Sequence, residues 1–186
     1  MRPILGALIP LMLSVLRLHA APVLNLNPSS EISGTPGQSV GWGFTITNDT
    51  DYLVVESFGF QGSSTSLGTF TDFSQYNFID VGPAPDESPT ETQLFSLTSR
   101  TGIGSFQISP SAQPGITTGA ITMTYDLYSS DPVINGGTPI GPSITLSVPA
   151  SIVVNAAPVP EPSTFGLLLL LCIYGFWHWP LTPHKR

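Results

Sequence analysis

Val40-Gly41-Trp42-Gly43-Phe44-Thr45-Ile46-Thr47 decides the fold class. Val40, Trp42, Phe44 and Ile46 recur at every second position, with glycine or threonine between them. A period of two puts one set of side chains on one face of a strand, and this stretch predicts a strand with one apolar face. Asn48-Asp49-Thr50-Asp51 follows as a turn cluster, because short polar side chains bond their own backbone and tolerate tight turns. Tyr52-Leu53-Val54-Val55-Glu56-Ser57-Phe58 then predicts a second strand, paired with the first as a hairpin. Pro36-Gly37 marks a turn before the first strand.

Working outward, the same signals repeat. Gln61 to Thr65 reads as a Gly/Ser loop, and Phe70, Phe73, Tyr76 and Phe78 around Asp72 suggest short strands or an aromatic-lined loop. Val81 to Pro89 holds three prolines, which lack ladder donors, so it predicts a crossing between layers. Thr92–Thr98, Gly104–Ser109, Ala120–Tyr128 and Ser143–Val154 read as further strands, with Ile144, Leu146 and Val148 on one side and Pro149 as a bulge. Ala112-Gln113-Pro114-Gly115 is a turn, and Ser130 to Pro142 is a long loop. Seven or eight strands with turns between them predict an all-β antiparallel β-sandwich, immunoglobulin-like or jelly roll in arrangement.

The ends of the chain differ from this middle. Met1 and Arg2, the apolar Ile4–Leu16, and His19-Ala20-Ala21 form the pattern of a cleavable N-terminal signal peptide over residues 1–21, with cleavage by signal peptidase at Ala20 or Ala21. A retained N-terminal anchor is the alternative. At the other end, Phe165 to Trp179 contains no charge. As a helix those 15 residues span roughly 22 Å, and Ser163 to Leu181 roughly 28 Å, close to the hydrocarbon thickness of a bilayer. Trp177 and Trp179 fall where an interfacial aromatic belt would lie, and Lys185 and Arg186 form a basic tail. This predicts a C-terminal transmembrane helix.

Val159-Pro160-Glu161-Pro162-Ser163-Thr164, then the apolar segment, then Lys185 and Arg186, resembles the PEP-CTERM sorting signal of Gram-negative bacteria. The resemblance covers residues 159–186. It implies recognition by exosortase, a membrane cysteine protease-transpeptidase that cuts near the Pro-Glu-Pro element. It also implies export to the cell surface or extracellular matrix, often beside exopolysaccharide. The family's basic end is usually a cluster of arginines; here it is His184-Lys185-Arg186. The prolines around Glu161 hold the backbone extended and block helix growth, which suits presentation to a processing enzyme. A stiff stalk before a plain single-pass anchor is the other reading of the same residues.

The 22–158 segment between these ends carries eleven of the twelve acids, and Arg100 is its sole basic residue. Ten net negative charges disfavour nucleic acid and anionic lipid as partners. The segment has no His, Cys or Lys, which excludes Ser-His-Asp and Cys-His catalysis and the common zinc sites within it. Cys172, the only cysteine, lies in the apolar tail, so no disulfide holds the sandwich and no cofactor is called for. Carboxylates remain. Asp49 with Asp51, and Asp126 with Asp131, are turn acids in the style of calcium loops, though two acids are few for such a site. Glu56, Asp72, Glu87 and Glu91 are candidates for a glycosidase pair that nothing in the sequence brings together. Trp42, Phe70, Phe73, Tyr76, Tyr125 and Tyr128 are candidates for stacking on sugar rings, with core packing as the competing role.

Two readings of function follow. One is an exported, non-enzymatic surface or matrix protein, sorted through residues 159–186 and associated with exopolysaccharide. The other is a carbohydrate-binding or carbohydrate-cleaving sandwich acting on that polymer.

Overall fold

The computed structural model describes residues 21–64, 66–83, 88–157, 166, 169–172 and 174. The described residues between 21 and 157 form two five-stranded sheets that share one core. The strands are β1 Val23–Asn27, β2 Glu31–Gly34, β3 Ser39–Thr47, β4 Tyr52–Gly62, β5 Gly68–Asp72, β6 Asp80–Val81, β7 Thr90–Gln93, β8 Gly104–Ile108, β9 Gly115–Tyr128 and β10 Ile144–Val154, with a 3-10 turn η1 at Ser74–Tyr76. The front sheet runs β1-β3-β8-β5, with β7 also on β3; the back sheet runs β2-β10-β9-β4-β6. The all-β sandwich expected from the sequence is what forms. Its pairs are antiparallel except β2 with β10, which are parallel.

The deciding stretch becomes β3. Trp42, Phe44 and Ile46 are fully buried and face the back sheet, where Trp42 meets Phe60 with ring centroids 5.4 Å apart and Phe44 meets Phe58 at 5.7 Å. Inward residues of the other strands close the core: Leu53 on β4, Ile108 on β8, Ile121 and Met123 on β9, Ile152 on β10. The opposite face of β3 is covered as well. β7 pairs with Phe44–Thr47 and β8 with Ser39–Trp42, and the chain between them, residues 94–103, folds back over the sheet. A side chain at Gly41 would strike the Phe95 ring, so the glycines alternating with the apolar set make room for that cover. Gly102, at φ 93°, turns the chain back beneath it.

Several expectations are corrected. Tyr52–Phe58 is not the hairpin partner of β3: the two strands are consecutive but lie in different sheets. Asn48 is the reason. It is fully buried, its Nδ2 donates to the carbonyls of Asp51 and Val81, and its backbone N–H donates to the Pro89 carbonyl. Those bonds turn the chain over the top of the core instead of back along the same sheet. Thr92–Thr98 is strand only to Gln93; beyond it Ser96 and Thr101 bridge a small excursion. Pro149 is no bulge, since β10 keeps register with β9 straight through it. The Ser151 N–H points toward β2 and donates to Ser30, so the missing donor at Pro149 falls on the same side just beyond the end of β2. The one register shift is in β4, between Val55 and Ser57 at Glu56. β1 and β2, absent from the expected strand set, supply one edge strand to each sheet.

The two ends of the sandwich are distinct. β1 starts beside Thr47, at the end that also carries Asn48, Tyr52 and Tyr128. β10 ends beside Gly115, at the opposite end. The chain therefore enters the fold at one end, called upper here, and leaves it at the other. The upper end displays an apolar loop with Val133, Ile134 and Ile140 exposed. Asp131 shapes that loop by accepting bonds from the N–H groups of Val133 and Ile134, at 2.7 and 2.8 Å.

Candidate functional site

β4 and β5 follow one another in the chain and border the same side of the sandwich, one in each sheet. Their upper halves are tied together. The bulge at Glu56 adds one residue, so Val55 and Phe58 both turn their N–H away from β9. Val55 donates to the Ile79 carbonyl at 3.0 Å, and Phe58 donates to Asp72 Oδ2 at 3.1 Å. Asp72 also accepts from Ser74, from N–H to Oδ1 and from Oγ to Oδ2, both at 2.8 Å. Its carboxylate is a strut between the sheets.

Below Asp72 the strands part. A cleft of about 530 Å³ opens there, lined by Phe60, Gln61, Gly62, Ser64, Gly68, Thr69, Phe70 and Phe106. Phe60 and Phe106 meet edge to face at 5.5 Å, and Trp42 supports Phe60 from within. Gln61, Ser64 and Thr69 are exposed at its rim. The walls also offer backbone groups. The Leu67 carbonyl accepts from Ser109 and Phe73 donates to Ile103, so odd residues of β5 face β8 and Gly68 and Phe70 point their backbone groups outward. Ser63 donates to Thr118, so below the bulge the outward residues of β4 are Phe60 and Gly62. Two strand edges thus flank an aromatic floor.

A second aromatic group lies above the strut. Phe73, buried, stacks on Phe95 with planes 8° apart and meets Tyr76 edge to face. Arg100 lies over the Tyr76 ring, 4.3 Å from its centroid, and its carbonyl accepts from Asn77 Nδ2. The one basic side chain of the 22–158 segment is thereby held against an exposed tyrosine.

Of the aromatics singled out by sequence, Phe70 lines the cleft and Tyr76 is exposed outside it. Trp42, Phe73 and Tyr125 are buried and cannot stack on a ligand; burial pushes the Tyr125 phenol up from its ordinary value. Tyr128 is half-buried at the upper end. The carboxylates are not gathered: Asp72 is the strut, Glu56 is exposed on the bulge, Glu91 lies on β7 next to Gln93, and Glu87 lies outside the described residues. Asp72, Glu56 and Glu91 do not line the cleft. Asp131 is committed to its own loop, and no three His, Cys, Asp or Glu side chains gather into a metal site among the described residues. Phe60, Gln61, Thr69 and Phe106 are not among the site candidates that the sequence offers. The continued alternation Phe58-Gly59-Phe60-Gln61-Gly62 was the signal for the first two.

Ala21 is exposed, two residues before β1. Ala20, Val159 to Thr164, Lys185 and Arg186 lie outside the described residues. Within the apolar tail, Gly166, Leu169–Cys172 and Tyr174 are helical and exposed. Among the described residues no helix is long and apolar enough to cross a membrane.

No family model matches the chain, and no curated protein matches it. Two solved structures show a distant likeness. WR4, a member of the MSP family of C. elegans, is 11% identical with a TM-score of 0.34, covering 71% of this chain and 97% of its own. A family 123 glycoside hydrolase from Clostridium perfringens, a protein of glycolipid glycan hydrolysis, is 13% identical with a TM-score of 0.31. That match covers 72% of this chain and 24% of the hydrolase. Likeness at this level carries no functional argument.

Proposed function

We propose that this chain is an exported, non-enzymatic surface or matrix protein, delivered by signal peptidase at its N-terminus and by an exosortase-type enzyme at its C-terminus. In this reading residues 159–186 are a PEP-CTERM sorting signal, first a membrane anchor and then a processing site, and the sandwich is the delivered product beside exopolysaccharide.

One observation supports the reading: among the described residues the core lies wholly within the segment between the two proposed processing regions. β1 begins at Val23, two residues after Ala21. The last core residue is Val154, and Asn155 to Ala157 are exposed. Leu169, Leu170, Leu171 and Tyr174 are more than 60% exposed and have no place in the sandwich core. An exposed apolar run of this kind marks a site of membrane or protein contact. Among the described residues, every buried core residue lies between Leu24 and Val154.

Intact mass and C-terminal peptide mapping of the protein recovered from its native cell test the proposal. A mature chain that starts near Ala21 or Pro22 and ends between Pro160 and Ser163 supports it. A chain ending at Arg186 in a wild-type host overturns sorting and leaves a plain tail anchor.

A further inference from the structure

We infer that the cleft between β4 and β5 is a binding groove for a neutral polysaccharide segment. The inference stands whether or not residues 159–186 are a sorting signal.

The lining selects the ligand by its chemistry. Among the described residues none that lines the cleft is ionisable, so an anionic ligand finds no counter-ion in the lining. The surrounding domain, with ten net negative charges, repels an anionic polymer at ordinary ionic strength. The remaining features suit a flat ligand with an apolar face and a polar circumference. Phe60 and Phe70, both half-buried, supply ring surface at the floor, with buried Phe106 packed behind Phe60. Gln61, Ser64 and Thr69 bring an amide and two hydroxyls to the rim, each able both to donate and to accept. The outward backbone groups of Phe60, Gly62, Gly68 and Phe70 add donors and acceptors along both walls. A pyranose presents this combination, with axial C–H groups on one face and hydroxyls around its edge.

The open flank admits a chain that continues beyond the cleft on either side. The cleft is open, and its roughly 530 Å³ lies within the common range for ligand sites of about 300–1,000 Å³. Its walls are two strand edges, bounded above by the Asp72 strut and with Ser64 at the lower end, and it opens to solvent along the flank of the sandwich. The floor is held in place before any ligand arrives, because Phe60 is wedged between Trp42 and Phe106. A preformed site loses less to ordering when it is filled. The same edges would also accept an extended peptide as an added strand. The glycan is favoured by the uncharged hydroxyl and amide rim around an aromatic floor. An added strand would be held chiefly by main-chain hydrogen bonds, which leave the polar side chains of the rim unused.

The test is affinity electrophoresis of the full-length chain in detergent, in gels containing dextran, starch, galactomannan, xyloglucan or mixed-linkage β-glucan, with alginate and polygalacturonate as anionic controls. The expected result is retardation by at least one neutral polymer and by neither anionic one. Phe70→Ala should weaken it tenfold or more and Gln61→Ala threefold or more, while Tyr76→Ala, outside the cleft, leaves it unchanged. Gln61 is exposed, so that variant reads the site even if Phe70→Ala disturbs the fold. Retardation by no neutral polymer overturns the inference, as does retardation insensitive to Gln61→Ala and Phe70→Ala. In a parallel titration by NMR, shifts of the β5 amides with an alternating Val-Thr peptide and none with any neutral oligosaccharide would overturn it in favour of strand addition.

Discussion

The upper and lower halves of the β4–β5 border are made from the same two strands, yet one is sewn shut and the other is open. Above, the extra residue at Glu56 turns the Phe58 N–H toward Asp72, and one carboxylate gathers Phe58 and Ser74 from both sides of the gap. Below, the outward groups of Phe60, Gly62, Gly68 and Phe70 meet no such strut, and a cleft takes its place. The comparison teaches that closure of a sandwich edge is a local matter of one bulge and one acid. The aromatic core beneath is continuous through both halves.

The largest effect should come from removing what the halves share. Trp42→Ala empties the centre of the core and withdraws the support of Phe60; a loss of about 3–5 kcal/mol is expected, read by urea denaturation. Asn48→Ala leaves the carbonyl of Val81 without its side-chain donor in a buried setting, and should cost about 2–3 kcal/mol by the same measurement. Asp72→Ala opens the upper half without touching the core. It should cost about 1–2 kcal/mol, and the Phe58 amide should lose its protection from hydrogen exchange while the lower border is unaffected. If the Phe58 amide stays protected, the strut is not what closes the edge. The smallest effect belongs to the open half: Thr69→Lys, on an exposed outward position, should change stability by no more than about 0.5 kcal/mol. A larger loss would mean that the lower border is also sewn, by contacts other than those described.

The fold class was legible because β3 alternates without a break: Trp42, Phe44 and Ile46 are where the period of two puts them. The sheet assignment of its neighbour was not legible. A polar turn between two apolar runs signals reversal, and only the burial of Asn48 with its bonds to Val81 and Pro89 makes that reversal cross between sheets. Pro149 looked like a defect because sequence does not show which strand edges remain open. The bulge at Glu56 had no signal, since an extra residue in a run such as Leu53-Val54-Val55-Glu56-Ser57 leaves composition unchanged. The cleft was half legible. Phe70 drew attention as an aromatic, whereas Gln61 reads as loop and Phe106 as core, and only the parting of two sheets puts them together.

The length of β9 has a consequence of its own. Its fourteen residues, extended at roughly 3.3 Å each, make a rod of about 45 Å, with Gly115 beside the point where the chain leaves the fold and Tyr128 at the far end. The loop of Val133, Ile134 and Ile140 sits beyond that far end. If the chain is moored through residues that follow Ala157, β9 acts as a spacer. It carries the exposed apolar loop away from the mooring by roughly the thickness of a bilayer with its headgroups, and the open cleft stays on the flank nearer the base.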